Sequence, residues 1–292
     1  MFDLRYHVAS LAAVFLALII GILVGVGIAS QTSVEESERR VLEERISNLQ
    51  RDLEEETGEI DLLRRQQEAG TTYTDASYPV VMNGRLRTVR VALLFIGPVE
   101  PGLQDAVTRT LADASGPALA RRRALELPVD PQAVMNAIPP EADDLTFEEI
   151  GRRLGRELVA GGETPLWDAL EEVIVEEGQG ASELEIDAIV VAHTARLDHA
   201  PTARLVSGLY AGIASSGVPA VGVERAEARP TRIGVYVAAG LSSVDSVDTP
   251  LGRVALAVLL AGGQEGQYGL KSTANAAVPP IEVLPLAPLP GG

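Results

Sequence analysis

The sequence predicts an α/β chain in three parts: one N-terminal transmembrane helix, a coiled-coil stalk, and a parallel-sheet α/β domain with helices on both faces. Three observations predict it. Val8–Ile28 is a run of twenty-one residues without a charge. From Leu42 apolar residues recur at alternating spacings of four and three. From Val80 short Val/Ile-rich runs alternate with helical segments, the pattern of a sheet buried on both faces.

Residues 8–29 are read as the anchor. At about 1.5 Å per residue the charge-free run reaches roughly 31 Å, enough to cross a hydrocarbon core. Lipid offers its backbone no partners, so a lone span is expected to be helical. Gly27-Ile28-Ala29 ahead of Ser30 loosely imitates a signal-peptide cleavage site. A cleavable apolar core, however, runs about 7–15 residues, so an uncleaved anchor is expected. Residues 1–7 form a short N-terminus with Arg5 as its only basic side chain, while Arg39 and Arg40 lie beyond the span. The Lys/Arg distribution leans towards a cytoplasmic N-terminus. Gly21, Gly25 and Ala29 are four apart and share one helix face, the spacing that lets two membrane helices approach closely.

Residues 34–69 are read as the coiled coil. With Leu42 at d, the a positions are Ile46, Leu53 and Ile60, and Leu49 and Leu63 are d. Glu56 interrupts the d column once. Ile at a with Leu at d is the parallel-dimer preference. Glu59 at g and Arg64 at the following e′ make an attractive interchain pair. Gly70, with Thr71, Thr72 and Thr74, is expected to close the stalk.

The α/β domain is placed at residues 80–272. Val89–Ile96 is a strand stopped by Gly97-Pro98, and Pro101–Ala114 a helix. Ala118–Leu127 is a weaker strand whose Arg121, Arg122 and Arg123 are expected to be solvated. Phe147–Ala160 and Pro165–Glu177 are helices, the second with Thr164 as cap and Pro165 in its first turn. Ile186–Ala192 is the clearest core strand. Thr202–Ser215 is a helix, Pro219–Val223 and Ile233–Ala238 are strands, and Thr249 caps a helix over Pro250–Leu260. Residues 278–292 contain five prolines and read as a flexible, partly polyproline-II tail.

Charge and composition exclude several functions. With 24 basic and 41 acidic residues the formal charge is −17, against nucleic-acid binding, which needs positive surface. The absence of cysteine removes disulfides, thiolate metal sites and cysteine nucleophiles. Lys271 is the only lysine.

Candidate sites are sought beyond the carboxyl ends of the strands, where open parallel sheets bind ligands. His193 stands there, with Asp198 and His199 on the following loop. His193 and His199 are the metal candidates, although two histidines are short of a complete set. Met1, Met82 and Met135 supply the only sulfur, little for soft copper(I). Asp245 and Asp248 could be paired carboxylates, but ahead of the Thr249-Pro250 helix start they suit the macrodipole. There is no phosphate-loop or nucleophile-elbow motif. No catalytic residue is nominated.

The N-terminal stretch FDLRYHVASLAAVFLALIIGILVGVG, with Ser243–Arg253 (SVDSVDTPLGR) and Gly266–Lys271 (GQYGLK), resembles the actinobacterial copper transport protein MctB family, SteB-like envelope proteins included. Its polar positions agree as well as its apolar ones. Asp245, Asp248, Thr249, Pro250, Gly252, Tyr268 and Gly269 belong to the second recognisable block. The resemblance covers the anchor, stalk and C-terminal block; from Pro98 to Gly180 it rests on the order of elements. It implies an envelope protein of the cytoplasmic membrane with its C-terminal domain extracytoplasmic. The family name implies copper export or an outer-membrane channel. SteB-like relatives imply a scaffold that works with a SteA-like membrane partner in envelope assembly or division. One helix per chain cannot enclose a pore, and the even series of about ten-residue strands of a membrane barrel is absent from the sequence.

The combined expectation is a non-enzymatic, membrane-anchored homodimer without a cofactor, binding another envelope membrane protein and no nucleic acid. Copper transport, with copper as ligand, is the alternative.

Overall fold

The computed structural model describes residues 4–140, 144–180 and 184–282, with the side chains of residues 4–5 and 28–37 excepted. The side chain of Ala29 and most of the proline-rich tail therefore lie outside what is described. The chain divides into two compact units, Met1–Gly70 and Thr71–Gly292.

In the first unit one helix accounts for every described residue. Helix α1 spans Leu4–Met82, and its Tyr6–Gly27 segment has a mean hydropathy of 2.8 with none of it buried. It is long and apolar enough to cross a membrane. One sequence expectation fails along α1. Gly70 is helical, and the helix passes the threonines to Met82, with Pro79 inside it. Single glycines cost a helix only about 1 kcal/mol relative to Ala, which many flanking helix formers offset.

The second unit is a seven-stranded sheet of order β3-β2-β1-β4-β5-β6-β7. Its strands are β1 (Val91–Ile96), β2 (Arg121–Leu125), β3 (Val175–Gln179), β4 (Ala188–His193), β5 (Ala220–Val223), β6 (Ser242–Val244) and β7 (Gln267–Tyr268). All neighbours are parallel except β3, which runs antiparallel to β2 at one edge. The helices are α2 (Pro101–Asp113), α3 (Pro131–Ala137), α4 (Phe147–Ala160), α5 (Pro165–Ile174), α6 (Ala200–Ala214), α7 (Ile233–Ala238) and α8 (Pro250–Leu260).

Alternation along the central strands decides the layers. Val91, Leu93 and Phe95 of β1 face one core with α2, α8, Met82 and Leu86. Ala92, Leu94 and Ile96 face the other, with α3, α4, α5, α6 and α7. Both faces are covered, as near-continuous apolar strands require.

Four readings need correction. Ile233–Ala238 is helix α7, not a strand; Ile233 and Tyr236, three apart, are its buried pair, and a six-residue apolar run carries no decisive period. Helix α5 ends at Ile174, and Val175–Gln179 leaves as the antiparallel edge β3. Thr164 occupies the N-cap position of α5 without capping it; Glu157 Oε2 accepts from Leu166 N and Trp167 N, both at 3.1 Å. Arg121 and Arg123 are buried, not solvated. Arg121 donates to the carbonyls of Leu158 and Leu184, and Arg123 to that of Gln179 at 3.0 Å, beside Glu171 at 3.7 Å. Main-chain carbonyl oxygens of α4, of the segment before β4 and of the edge strand β3 thus satisfy guanidiniums that sequence alone places in water.

Candidate functional site

The strand order reverses between β1 and β4, whose carboxyl ends are the expected ligand crevice of an open sheet. Here the loops that follow the two strands are tied together. Thr194 N and Ala195 N both donate to Ile96 O, at 3.1 and 2.9 Å, and Thr194 Oγ1 donates to Pro98 O at 2.8 Å. Gly97 (φ +113°) has Ala195 and the Thr194 hydroxyl where a Cβ would stand. Nothing the size of a dinucleotide enters there.

The open space lies beyond the carboxyl ends of β1, β4 and β5, with Pro98, Val99 and Thr194 in its lining. A cavity of about 340 Å³ is lined by Glu100, His193, Glu224, Arg225, Arg229 and Arg232, among others. His193 ends β4 and is buried; its Nδ1 meets the Tyr210 hydroxyl at 2.8 Å, and its backbone N–H donates to the Tyr236 hydroxyl. Burial, reinforced by the charge of Arg232, pushes the imidazole pKa down to about 4. The ring is therefore neutral at pH 7. Glu224, the residue after β5, is buried and saturated: Oε1 accepts from Thr231 Oγ1 at 2.7 Å and Lys271 Nζ at 2.5 Å, and Oε2 from Arg232 N at 2.7 Å.

Asp245, the residue after β6, is also buried, with its carboxylate on the backbone N–H groups of Leu270 (2.7 Å) and Lys271 (3.0 Å). Gly269 (φ +140°) packs against that carboxylate where a side chain would not fit. Asp248 accepts from Ala226 N at 2.8 Å. Thr249 accepts from Gly252 N at 3.1 Å and caps α8, with Pro250 in the first turn. Gly252 lets α8 approach the Ser246 carbonyl. Tyr268 in β7 is buried. Asp245 and Asp248 thus clamp neighbouring backbone, and the two halves of the C-terminal block meet through Asp245 and the β6–β7 pairing.

His193 and His199 do not share one environment. His199 is exposed at the N-cap of α6. Among the described residues no group of three or more His, Cys, Asp or Glu side chains converges. Sequence reasoning passed over Glu224, Arg225, Arg232, Tyr210 and Tyr236. Glu224-Arg225 directly follows the short β5 run, so the rule that led to His193 would also have found them.

The stalk residues carry a different surface. Leu42, Ile46, Leu49, Leu53, Ile60 and Leu63 are each more than half exposed on α1. Gly21 and Gly25 have nothing within 4 Å of a hypothetical Cβ.

The family model described as "Copper transport outer membrane protein, MctB" matches residues 1–137 and 147–279. No curated protein matches the chain.

Proposed function

The chain belongs to the MctB family, and from that premise we propose a single-pass, non-enzymatic envelope protein that works as a parallel coiled-coil dimer and presents its α/β domain to another envelope membrane protein. Family membership and the apolar helix support a membrane-associated envelope protein related to copper transport. The scaffold role, the dimer and the extracytoplasmic placement of the domain are our reading.

The observation that carries it is the exposed seam on α1. Six large apolar side chains in water, spaced four and three, are stabilised by burial against a second copy at roughly 25 cal/mol per Å². Gly21 and Leu42 are three heptads apart, as are Gly25 and Ile46, so under a sustained supercoil the glycines fall on the same seam. An SteA-like protein, as the resemblance implies, fits the role of partner.

The chain has no native cysteine, so single cysteines can map the seam in membranes. Oxidation should crosslink copies bearing cysteine at Ile46, Leu49 or Leu53, and leave those at Ser47, Asn48 or Arg51 monomeric. Equal crosslinking around the helix would overturn the dimer. Ser272→Cys, on an exposed surface, should react with an impermeant maleimide on intact cells if the domain is outside.

The family's description favours a second reading, copper as cargo. Among the described residues the sheet offers no pore within one chain: it is open, covered by helices, and its strands are two to six residues long, against the roughly 9–11 a spanning strand needs. Copper handling would then act through binding or through a partner. Stoichiometric heat with Cu(I) or Cu(II), lost in His193→Ala/His199→Ala, would promote this reading; no heat with either ion would remove it.

A further inference from the structure

The cavity beyond β4 and β5 has a chemistry that the dimer does not use. One of its nitrogens, His193 Nε2, is buried without a hydrogen-bond partner, whereas Arg225 Nε, which also makes no hydrogen bond, faces Asp248 Oδ2 at 3.6 Å. His193 is over nine-tenths buried, so its orphan nitrogen is costly unless something occupies the cavity. In the tautomer whose Nδ1 accepts from the Tyr210 hydroxyl, the neutral ring carries its proton on Nε2 and donates there.

The charges around it are unequally satisfied. Glu224 is neutralised by Lys271, and Glu100 stands 3.5 Å from Arg225, which also faces Asp248 at 3.6 Å. Arg229 and Arg232 line the same cavity with no carboxylate partner among the described residues; Arg232 Nη2 donates to Ala195 O at 3.1 Å. In a chain of net charge −17, this is a local excess of cationic donors with its acceptors already used. A metal cation would meet repulsion here, whereas an oxyanion would complete the unsatisfied hydrogen bonds.

We propose that this cavity binds a small oxyanion, a phosphate or carboxylate group, held by Arg229, Arg232 and His193 Nε2. Its volume of about 340 Å³ admits such a group with a short substituent and not a dinucleotide. This goes beyond the scaffold reading and does not depend on it, since every residue involved lies in the second unit.

The chain contains three histidines, His7, His193 and His199, so ¹⁵N-histidine labelling of the full-length protein in detergent gives a readable spectrum. Titration with inorganic phosphate or with succinate, against chloride at matched ionic strength, should move the His193 signals saturably and leave His7 and His199 in place. Saturation by phosphate alone, or by succinate alone, would each support the site and identify its anion. Arg229→Gln combined with Arg232→Gln should weaken binding by about tenfold or more, while Arg196→Gln, an exposed arginine outside the lining, should not. No movement of His193, movement equal to that in chloride, or unchanged affinity in the folded double variant would each overturn the proposal.

Discussion

The Asp245 carboxylate accepts a hydrogen bond from the Lys271 backbone N–H at 3.0 Å, across twenty-six residues of chain. Lys271 then turns its ammonium to Glu224 and to the carbonyls of Arg225 and Ala228. One buried acid thereby fixes the position of the only lysine, and the lysine in turn holds the loop after β5.

Asp245→Ala should destabilise the second unit by about 2–4 kcal/mol, because it strands two backbone donors and unseats a charged pair. Chemical denaturation of the full chain, followed by its single tryptophan, Trp167, measures this. Lys271→Met tests the other half; it leaves buried Glu224 without its cation and should also destabilise. Unchanged midpoints would show that the clamp is not part of the stability of the fold.

Helices α4 and α6 touch backbone to backbone. A Cβ at Gly151 or Gly155 would run into the carbonyls of Leu205 or Leu209, and one at Gly208 or Gly212 into those of Glu148 or Arg152. Gly208→Ala or Gly155→Ala should therefore each cost about 1–3 kcal/mol or more, through forced separation of the pair. Thermal unfolding of each variant reads the loss, and Gly217→Asn, at an open position with φ +79°, serves as a milder control.

The neutral His193 makes stability fall on acidification. Its pKa drops from 6.5 in the unfolded chain to about 4 in the fold. As pH falls below 6.5 the unfolded state takes up the proton first. The contribution is complete above that pH and is lost progressively down to about 4, amounting to about 3 kcal/mol at most. His193→Gln should flatten this part of the profile when midpoints are compared between pH 7 and 4.5. An unchanged slope would mean that the imidazole stays accessible to protons.

Glu56 sits at a d position where two copies would place their carboxylates together. Glu56→Leu should tighten the dimer by about 1–2 kcal/mol, roughly tenfold in Kd, since an apolar side chain replaces a desolvated charge. Sedimentation of the full-length protein in detergent would resolve the shift. A weaker dimer would move the seam to another face.

The parts legible in the sequence are those with a long or redundant signal. The charge-free span lies in a helix and Thr249-Pro250 starts α8, where length and capping put them. The elements missed were short or polar. Ser242–Val244 is a strand containing two serines, buried because β5 and β7 flank it. Arg121–Leu125 is a strand where the sequence places one, but it hides two guanidiniums whose acceptors are carbonyls far along the chain. The four-spaced glycines of α4 and α6 were equally visible, but only their partner helices give them meaning.

The sequence by itself determined an apolar helix long enough for a membrane, a long polar helix continuing from it and an α/β order of elements, because each depends on neighbours within a few residues. Only the tertiary structure decided that the loops after β1 and β4 are tied together, that Asp245 and Asp248 serve as clamps, and that His193 lines one cavity with Arg225, Arg229 and Arg232. Those outcomes depend on which carbonyl, N–H or charge arrives from a distant segment, and local pattern carries no record of that.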